Sequence, residues 1–528
     1  MNKKVVVIGL DGGTFKLLKP LAAEGLMPNF KKILEQGCQG ILESTMPPMT
    51  GTAWSTFATG KNPGKHGVYD FLLVNDSLEN FHITTSRDII GKTSYEIIDE
   101  AKKIPITINL PNSWPPRLKD KQIVITCLLT QGDQWIYPES LKNEFPELNK
   151  YRLTPNESLR IKERKEAYTN EIVELVDNQM AGVQKIFKNK PWDFFFYLFS
   201  STDWIQHASL DELMEKRAAS PLRIYSQVDK YLGWFIENMP ADANLLIMSD
   251  HGFRTYKKTF YFNKWLEQEG FLVTTSNSEK FKEQVTRRAK ETEKVRSQKK
   301  RINLGMTFFK LLRYTPFLEK PLKKIYHKFV KKYLPINLKV DIGIDYKKTK
   351  VCFPKGSYMT NAYLNDGRKY AGGPIKNDDE YEQVRKDIIE KIKSLRGPDG
   401  DLVVKDVYTK EQIYGTSAPS RCPDLFFELA DYWLDGQFSS AKLFEPGIIS
   451  NKHEKDGIFL AYGPDIKNQK LSRHSIADIA PTILHMMDIP LPKDMDGKVI
   501  TEILKEQKDI QYQSEKQEVN TLIADINI

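Results

Sequence analysis

Cysteine is scarce in this chain: four residues among 528, at Cys38, Cys127, Cys352 and Cys422, with no CxxC pair. That spacing excludes zinc-finger and redox-motif readings and a disulfide framework, and it leads us to expect reduced thiols in a cytoplasmic protein. Long apolar runs are missing too: no stretch approaches the roughly 20 residues needed to span a bilayer. The opening MNKKVVVIGLDGG carries only a short apolar stretch before Asp11 and two glycines, and no small-residue cleavage site follows. It therefore reads as a first buried strand rather than a signal peptide. No internal repeat is visible.

The charge is unevenly placed. The formal net charge is +9, yet residues 279–333 alone hold 18 Lys/Arg against 5 Glu, an excess of +13, which leaves the rest of the chain at −4. The basic character thus belongs to one segment. Within it, aromatic and leucine residues alternate with Lys/Arg over 308–333, the pattern of a lysine-rich helical cap, an electrostatic guide for an anionic substrate, or a docking element for anionic lipid at a membrane surface. Nucleic-acid binding is the least favoured reading, because no recognisable module accompanies the charge.

Apolar runs at 4–9, 122–129, 192–199, 245–248 and 458–461 predict buried parallel strands, rich in Val, Ile, Leu and Phe. Helical patterns at 17–36, 157–187, 218–238 and 378–396 lie between or after them. Alternating strands and helices argue for a parallel α/β sheet covered on both faces, with working residues beyond the carboxyl ends of the strands. We expect a discontinuous α/β core over 1–266 and 342–505 with a sub-insertion at 71–151. A basic helical cap over 267–341 interrupts it, and a loose polar tail over 506–528 ends the chain.

Four acidic and histidine clusters follow those apolar runs: Asp11 in VVVIGLDGG, Asp203 with His207 in FFFYLFSSTDWIQH, Asp250 with His251 in LLIMSDHGF, and His453 in NKHEKDGIFLAYGP. Thr50 lies in the Gly/Pro-punctuated turn MPPMTGTAWSTFATG. Hard carboxylate oxygens with imidazoles suit two divalent cations, and a hydroxyl held between two cations is a nucleophile for phosphoryl transfer. Asp203 and His207, at i and i+4, share one face of a helical turn and can reach a single ion. Adjacent Asp250 and His251 require a sharp backbone turn, which Gly252 permits. His474, in SRHSIADIAPTILHMM, is a weaker alternative to His453. His66 is expected to shape the turn after Thr50 rather than to bind metal.

The order of these motifs over residues 4–500 resembles the alkaline phosphatase superfamily, in its branch of type I phosphodiesterases and nucleotide pyrophosphatases. The carriers of the resemblance are Asp11 after the first strand, Thr50 ahead of TGKNPGKHG, the DxxxH pair Asp203/His207, SDHG at 249–252, and His453 ahead of GIFLAYGP. The resemblance implies a three-layer α/β/α core with a mostly parallel sheet and a helical cap insertion. It implies one metal on Asp203, His207 and His453, and a second on Asp11, Asp250, His251 and the Thr50 oxygen; three imidazoles favour zinc at these positions, and the carboxylates also suit manganese. It also implies a covalent phosphothreonine intermediate. The loop has no side-chain donor at Ala53 for a phosphate oxygen, so Lys61 and the Thr52 hydroxyl are the candidate substrate contacts.

The leading expectation is a two-metal phosphohydrolase acting on a phosphorylated small-molecule or lipid-linked substrate. A phosphomutase or phosphomonoesterase is the alternative within the same chemistry. A sulfatase is disfavoured, since Thr50-Gly51-Thr52-Ala53-Trp54 lacks the C/S-x-P-x-R context of that nucleophile. The alternative of another class is a membrane-surface adaptor working through 279–333, with a cytoplasmic location that becomes peripheral at the membrane.

Overall fold

The computed structural model describes residues 3–117, 122–215, 219–275, 343–353, 360–415, 418–437 and 442–514. Among these, a 10-stranded sheet forms the centre. Lys4–Leu10 lies in its middle and pairs in parallel with Phe194–Phe199 on one side and Ala243–Met248 on the other. Pro105–Ile108 and Ile123–Ile125 continue the parallel array beyond Phe194–Phe199. These strands therefore belong to the sheet, although the segment 71–151 was expected as a sub-insertion.

Alternation along the first strand divides the core into two layers, because successive side chains point to opposite faces. Val6, Ile8 and Leu10 pack with residues of the helices Phe15–Ala23, Pro28–Gln36, Lys165–Asn189 and Ala219–Asn238. Val5 and Val7 pack with Trp54 and Phe57 of the helix Thr50–Thr59 and with Ile479 and Ile483 of the helix Ile479–Met486. The result is the expected α/β/α sandwich with a mostly parallel sheet. Gly9 is required here: a Cβ on it would come within 2.7 Å of the Trp54 ring and 2.5 Å of Leu198. Its absence lets Trp54 seat the Thr50 helix directly on the sheet. Full burial of Phe57 beside it contributes about 1.5–3 kcal/mol.

Several expectations are corrected. The run at 458–461 falls in Asp456–Tyr462, which is antiparallel to both Ala243–Met248 and Cys38–Glu43. A strand buried on both faces is a continuous apolar run in either direction, so composition could not tell them apart. The helix expected over 17–36 is two helices, broken where Gly25 adopts φ 82° and Pro28 starts the second. The stretch 157–187 opens as short 3₁₀ turns before the helix Lys165–Asn189. Residues 506–514 are not loose: Gln511 and Gln513 bond to Leu491, and Ile510 packs against the core.

Residues 342–450 do not simply complete the sandwich. Gly252–Tyr261 pairs with Tyr432–Asp435 and Phe444–Glu454 in a three-stranded sheet, and Val351–Cys352, Asn361–Leu364, Leu425–Leu429 and Val404–Thr409 form a four-stranded one. With the helix Asp378–Ser394 they enclose a separate core around Phe260, Trp265, Tyr363, Ile388 and Phe427. The basic segment 279–333, and with it the membrane-docking reading, lies outside the described residues; of the cap expected over 267–341 only residues 267–275 are described, and there Phe271 and Leu272 pack into this second core. Among the described residues no helix is long and apolar enough to cross a membrane.

Candidate metal centre

Asp11, Asp203, His207, Asp250 and His251 emerge just beyond the carboxyl ends of parallel strands of the central sheet. Asp11 directly follows Lys4–Leu10, and its amide bonds to the Phe199 carbonyl at 3.1 Å. Asp203 and His207 occupy the first turns of the helix Ser201–Met214, which follows Phe194–Phe199. Asp250 and His251 follow Ala243–Met248. His453 arrives from the other direction. The antiparallel register sets Phe253 opposite His453 and Gly252 opposite Glu454, so the far end of Phe444–Glu454 is delivered beside His251. The imidazoles of His251 and His453 stack with centroids 3.6 Å apart.

Thr50 is the first residue of the buried helix Thr50–Thr59, with Met49 as its cap. Its position is thus a helix start rather than the open turn that Pro47 and Pro48 suggested. The first helical bond runs from the Ala53 amide to the Met49 carbonyl at 2.7 Å, and the three amides ahead of it stand at the positive end of the helix.

The structure brings Asp11, Thr50, Asp203, His207, Asp250, His251 and His453 together. Around Asp203 Oδ1, the His207 and His453 Nε2 atoms lie at 3.4 and 3.3 Å and are 3.1 Å from each other. Around His251 Nε2, Asp250 Oδ2 lies at 3.2 Å, Asp11 Oδ1 at 3.6 Å and Thr50 Oγ1 at 3.2 Å. Ligand atoms about 2.0–2.1 Å from one tetrahedral cation are about 3.3 Å apart, so both sets have the spacing of a shared ion. Two groups that could hold a metal, Asp203/His251/His453 and Asp11/Asp250/His251, have His251 in common.

Hydrogen bonding gives these atoms a direction. The Nδ1 atoms of His207, His453 and His251 donate to the carbonyls of Asn451, Pro48 and Gly252, at 3.0, 3.0 and 3.1 Å. A carbonyl only accepts, so the proton sits on Nδ1 and the Nε2 lone pair of each ring points inward. Asp11 Oδ1, Asp203 Oδ1 and Asp250 Oδ2 are buried with no hydrogen-bond partner. Three lone pairs and three unpartnered carboxylate oxygens facing one another form a donor set that fits divalent cations.

The ionisation of the site follows from this crowding. Burial, then the charges of Asp250 and Asp203, holds the Asp11 carboxyl well above the usual range. Burial drives Asp250 up to about 7. Burial also acts to raise Asp203, but His207 and His453 outweigh it and hold that carboxyl low. Burial pushes His207 down to about 4 and His251 well below the usual imidazole range.

Other expected residues are placed elsewhere. Lys61 stands past the carboxyl end of the ten-residue Thr50 helix, about 15 Å from its start, and pairs with Asp494. The fold therefore does not bring it to the ligand cluster. Thr52 remains beside Thr50, its buried hydroxyl without a partner. His474 pairs with Glu502 at 2.9 Å and with Asp478, away from the cluster. His66 is buried, bonded to Thr56 Oγ1 at 2.8 Å and accepting the Val68 amide.

The supporting residues were not singled out from sequence. Thr202 Oγ1 donates to the Asp11 carbonyl at 2.6 Å and Gln206 Nε2 to the Gly12 carbonyl at 2.9 Å. Ser249 Oγ donates to the Gly13 carbonyl and accepts the Ile458 amide, both at 2.8 Å. Gln206 and Ser249 directly precede His207 and Asp250, and that adjacency was the only available signal.

Fold and family together place the chain among the metal-dependent phosphohydrolases of the alkaline phosphatase superfamily. A family model for type I phosphodiesterase / nucleotide pyrophosphatase matches residues 5–435, and the chain belongs to that family. It is a hydrolase acting on phosphoric ester or pyrophosphate bonds. No curated protein matches the chain. Among solved structures, it resembles human ectonucleotide pyrophosphatase/phosphodiesterase 5, with 13% identity and a TM-score of 0.52 over 95% of this chain and 100% of that one. An inactive murine form of the same protein, a threonine-to-alanine variant in complex with AMP, gives 14%, 0.51, 95% and 100%. Phosphonoacetate hydrolase from Sinorhizobium meliloti, in complex with phosphonoformate, gives 15%, 0.53, 92% and 96%. At these identities the likeness is one of fold.

Proposed function

We propose that the chain cleaves phosphodiester or pyrophosphate bonds by transferring the phosphoryl group to Thr50 and then hydrolysing the phosphothreonine. The observation that carries this reading is Thr50 Oγ1 at 3.2 Å from His251 Nε2, beside unpartnered carboxylate oxygens and inward-facing imidazole lone pairs. Asp203, His207 and His453 would hold one divalent cation, and Asp11, Asp250, His251 and the Thr50 oxygen the other. Zinc suits three imidazoles with three carboxylates, and manganese is the alternative. When bound, the two ions supply charge stabilisation to the attacking and leaving oxygens.

The chain's own residues do the rest. Thr50 gives its proton to solvent water, its Oγ1 forms a bond to phosphorus, and the bond from phosphorus to the leaving oxygen breaks, that oxygen departing with the first product and taking up a proton from water. Water then displaces Oγ1, releases the phosphate product and restores the hydroxyl. The amides at the start of the Thr50 helix favour an anionic phosphoryl group there. A structural neighbour bound to AMP supports a small phosphorylated substrate, and another bound to phosphonoformate supports a small phosphorus oxyanion at such a site. The inactive threonine-to-alanine form of the murine relative supports a threonine nucleophile.

The test is turnover of bis-p-nitrophenyl phosphate and p-nitrophenyl phosphate with zinc or manganese, for wild type and Thr50→Ala. We expect the diester to be preferred and Thr50→Ala to lower kcat at least about 10³-fold, as loss of a covalent nucleophile does. Full activity in Thr50→Ala, lost on chelation, would remove Thr50 from the mechanism.

A further inference from the structure

One side chain outside the metal-ligating set grips the start of the Thr50 helix. Asn112 lies in the loop beyond Pro105–Ile108, buried, with its backbone in the left-handed region at φ 58°. Its carboxamide nitrogen donates to the Gly51 carbonyl at 2.9 Å and to Ser55 Oγ at 3.0 Å. Ser55 Oγ in turn donates to the same Gly51 carbonyl at 2.8 Å. The carbonyl can only accept, so the amide can point only one way. The approach is close: a Cβ on Gly51 would lie 3.3 Å from Asn112 Nδ2 and 3.0 Å from the Phe71 ring.

We infer that Asn112 is a positioning residue for the reaction: it fixes the first helical turn and thereby the place of the Thr50 oxygen. The inference rests on the reading of Thr50 as nucleophile. The first turn of a helix is the part that frays, because its leading amides have no partner within the helix. Trp54 and Phe57 anchor this helix through apolar packing one turn later, but they add no hydrogen bond to its first turn. Two directional bonds from Asn112 act on the residue next to Thr50 and on the serine one turn on. The Gly51 carbonyl also shares its peptide unit with the Thr52 amide. Donors on that carbonyl polarise the amide, one of the groups facing an incoming phosphoryl oxygen in the proposed reaction.

Glycine adopts φ 58° without strain, so Asn112→Gly removes the side chain and leaves the loop conformation available. With bis-p-nitrophenyl phosphate as probe, we expect Asn112→Gly to lower kcat by about 10–100-fold, the effect of a slightly misplaced reacting group. KM and metal content per chain should stay near wild type. Asn112→Asp keeps the shape but turns an acceptor toward the Gly51 carbonyl, which can only accept, and its kcat should fall at least as far. Wild-type kcat in either variant overturns the inference, and so does a loss of kcat that only tracks lost metal or lost folded protein. If Thr50→Ala keeps full activity, the nucleophile reading fails and takes this one with it. If Thr50→Ala is inactive while Asn112→Gly is unaffected, the positioning role alone fails.

Discussion

His207 Nε2 and His453 Nε2 face each other at 3.1 Å, and neither ring can turn its proton inward, because each Nδ1 is committed to a backbone carbonyl. Two lone pairs at that distance repel unless a positive centre lies between them. The residues are 246 apart in sequence, and the pair is created by the helix Ser201–Met214 meeting the strand Phe444–Glu454. This contact makes a specific demand on metal content. His453→Ala should reduce bound zinc from about two ions per chain to about one and lower kcat at least about 100-fold. Elemental analysis of the purified variant checks the first part, and retention of two ions would rule out His453 as a ligand.

The carboxyls set the pH dependence. Asp250 has its folded value raised to about 7, against about 3.9 in an unfolded chain. A raised carboxyl favours the folded state fully below the unfolded value, and the contribution is lost as pH rises through the folded one. In metal-free protein this group therefore lowers stability between about pH 4 and 7. Cation binding needs the carboxylate and releases the proton, so zinc should raise the melting temperature more at pH 7.5 than at pH 5.5. Thermal melts with and without zinc at the two pH values test this, and an equal shift at both would contradict it.

Ser249 should matter to the metal without touching it. Its hydroxyl joins the Gly13 carbonyl to the Ile458 amide, and so ties the loop carrying Asp11 to the strand that follows His453. Ser249→Ala leaves two buried backbone groups unpartnered, at a cost of about 2–3 kcal/mol in stability. Looser support of the ligands should also weaken zinc retention about 10–100-fold. Competition with a coloured chelator measures the affinity, and denaturant unfolding of the zinc-loaded protein measures the stability.

Much of the centre was legible because its chemistry follows local apolar patterns. Asp11, Asp203, Asp250 and His251 each come just after a run that had to be a buried strand, and strand ends of a parallel sheet lie on one edge. The i, i+4 spacing of Asp203 and His207 carried its meaning without tertiary information. Lys61 misled for a related reason. It is near Thr50 in sequence, but the intervening residues form a rigid helix that separates the two by its full length. Asn112 gave no usable sign, since an Asn among prolines is an ordinary turn residue until its partner at Gly51 is known.

The amino-acid sequence by itself determined the residue types of the site, their order, the buried strands that precede them and the α/β class, because burial and periodicity are local properties of a chain. Only the tertiary structure decided that Asp456–Tyr462 runs antiparallel, that Phe253 stands opposite His453, that three imidazoles turn their lone pairs inward, and that Asn112 clasps the Thr50 helix. Those outcomes depend on hydrogen bonds between segments far apart in sequence, and no local pattern specifies which distant carbonyl a given donor will meet.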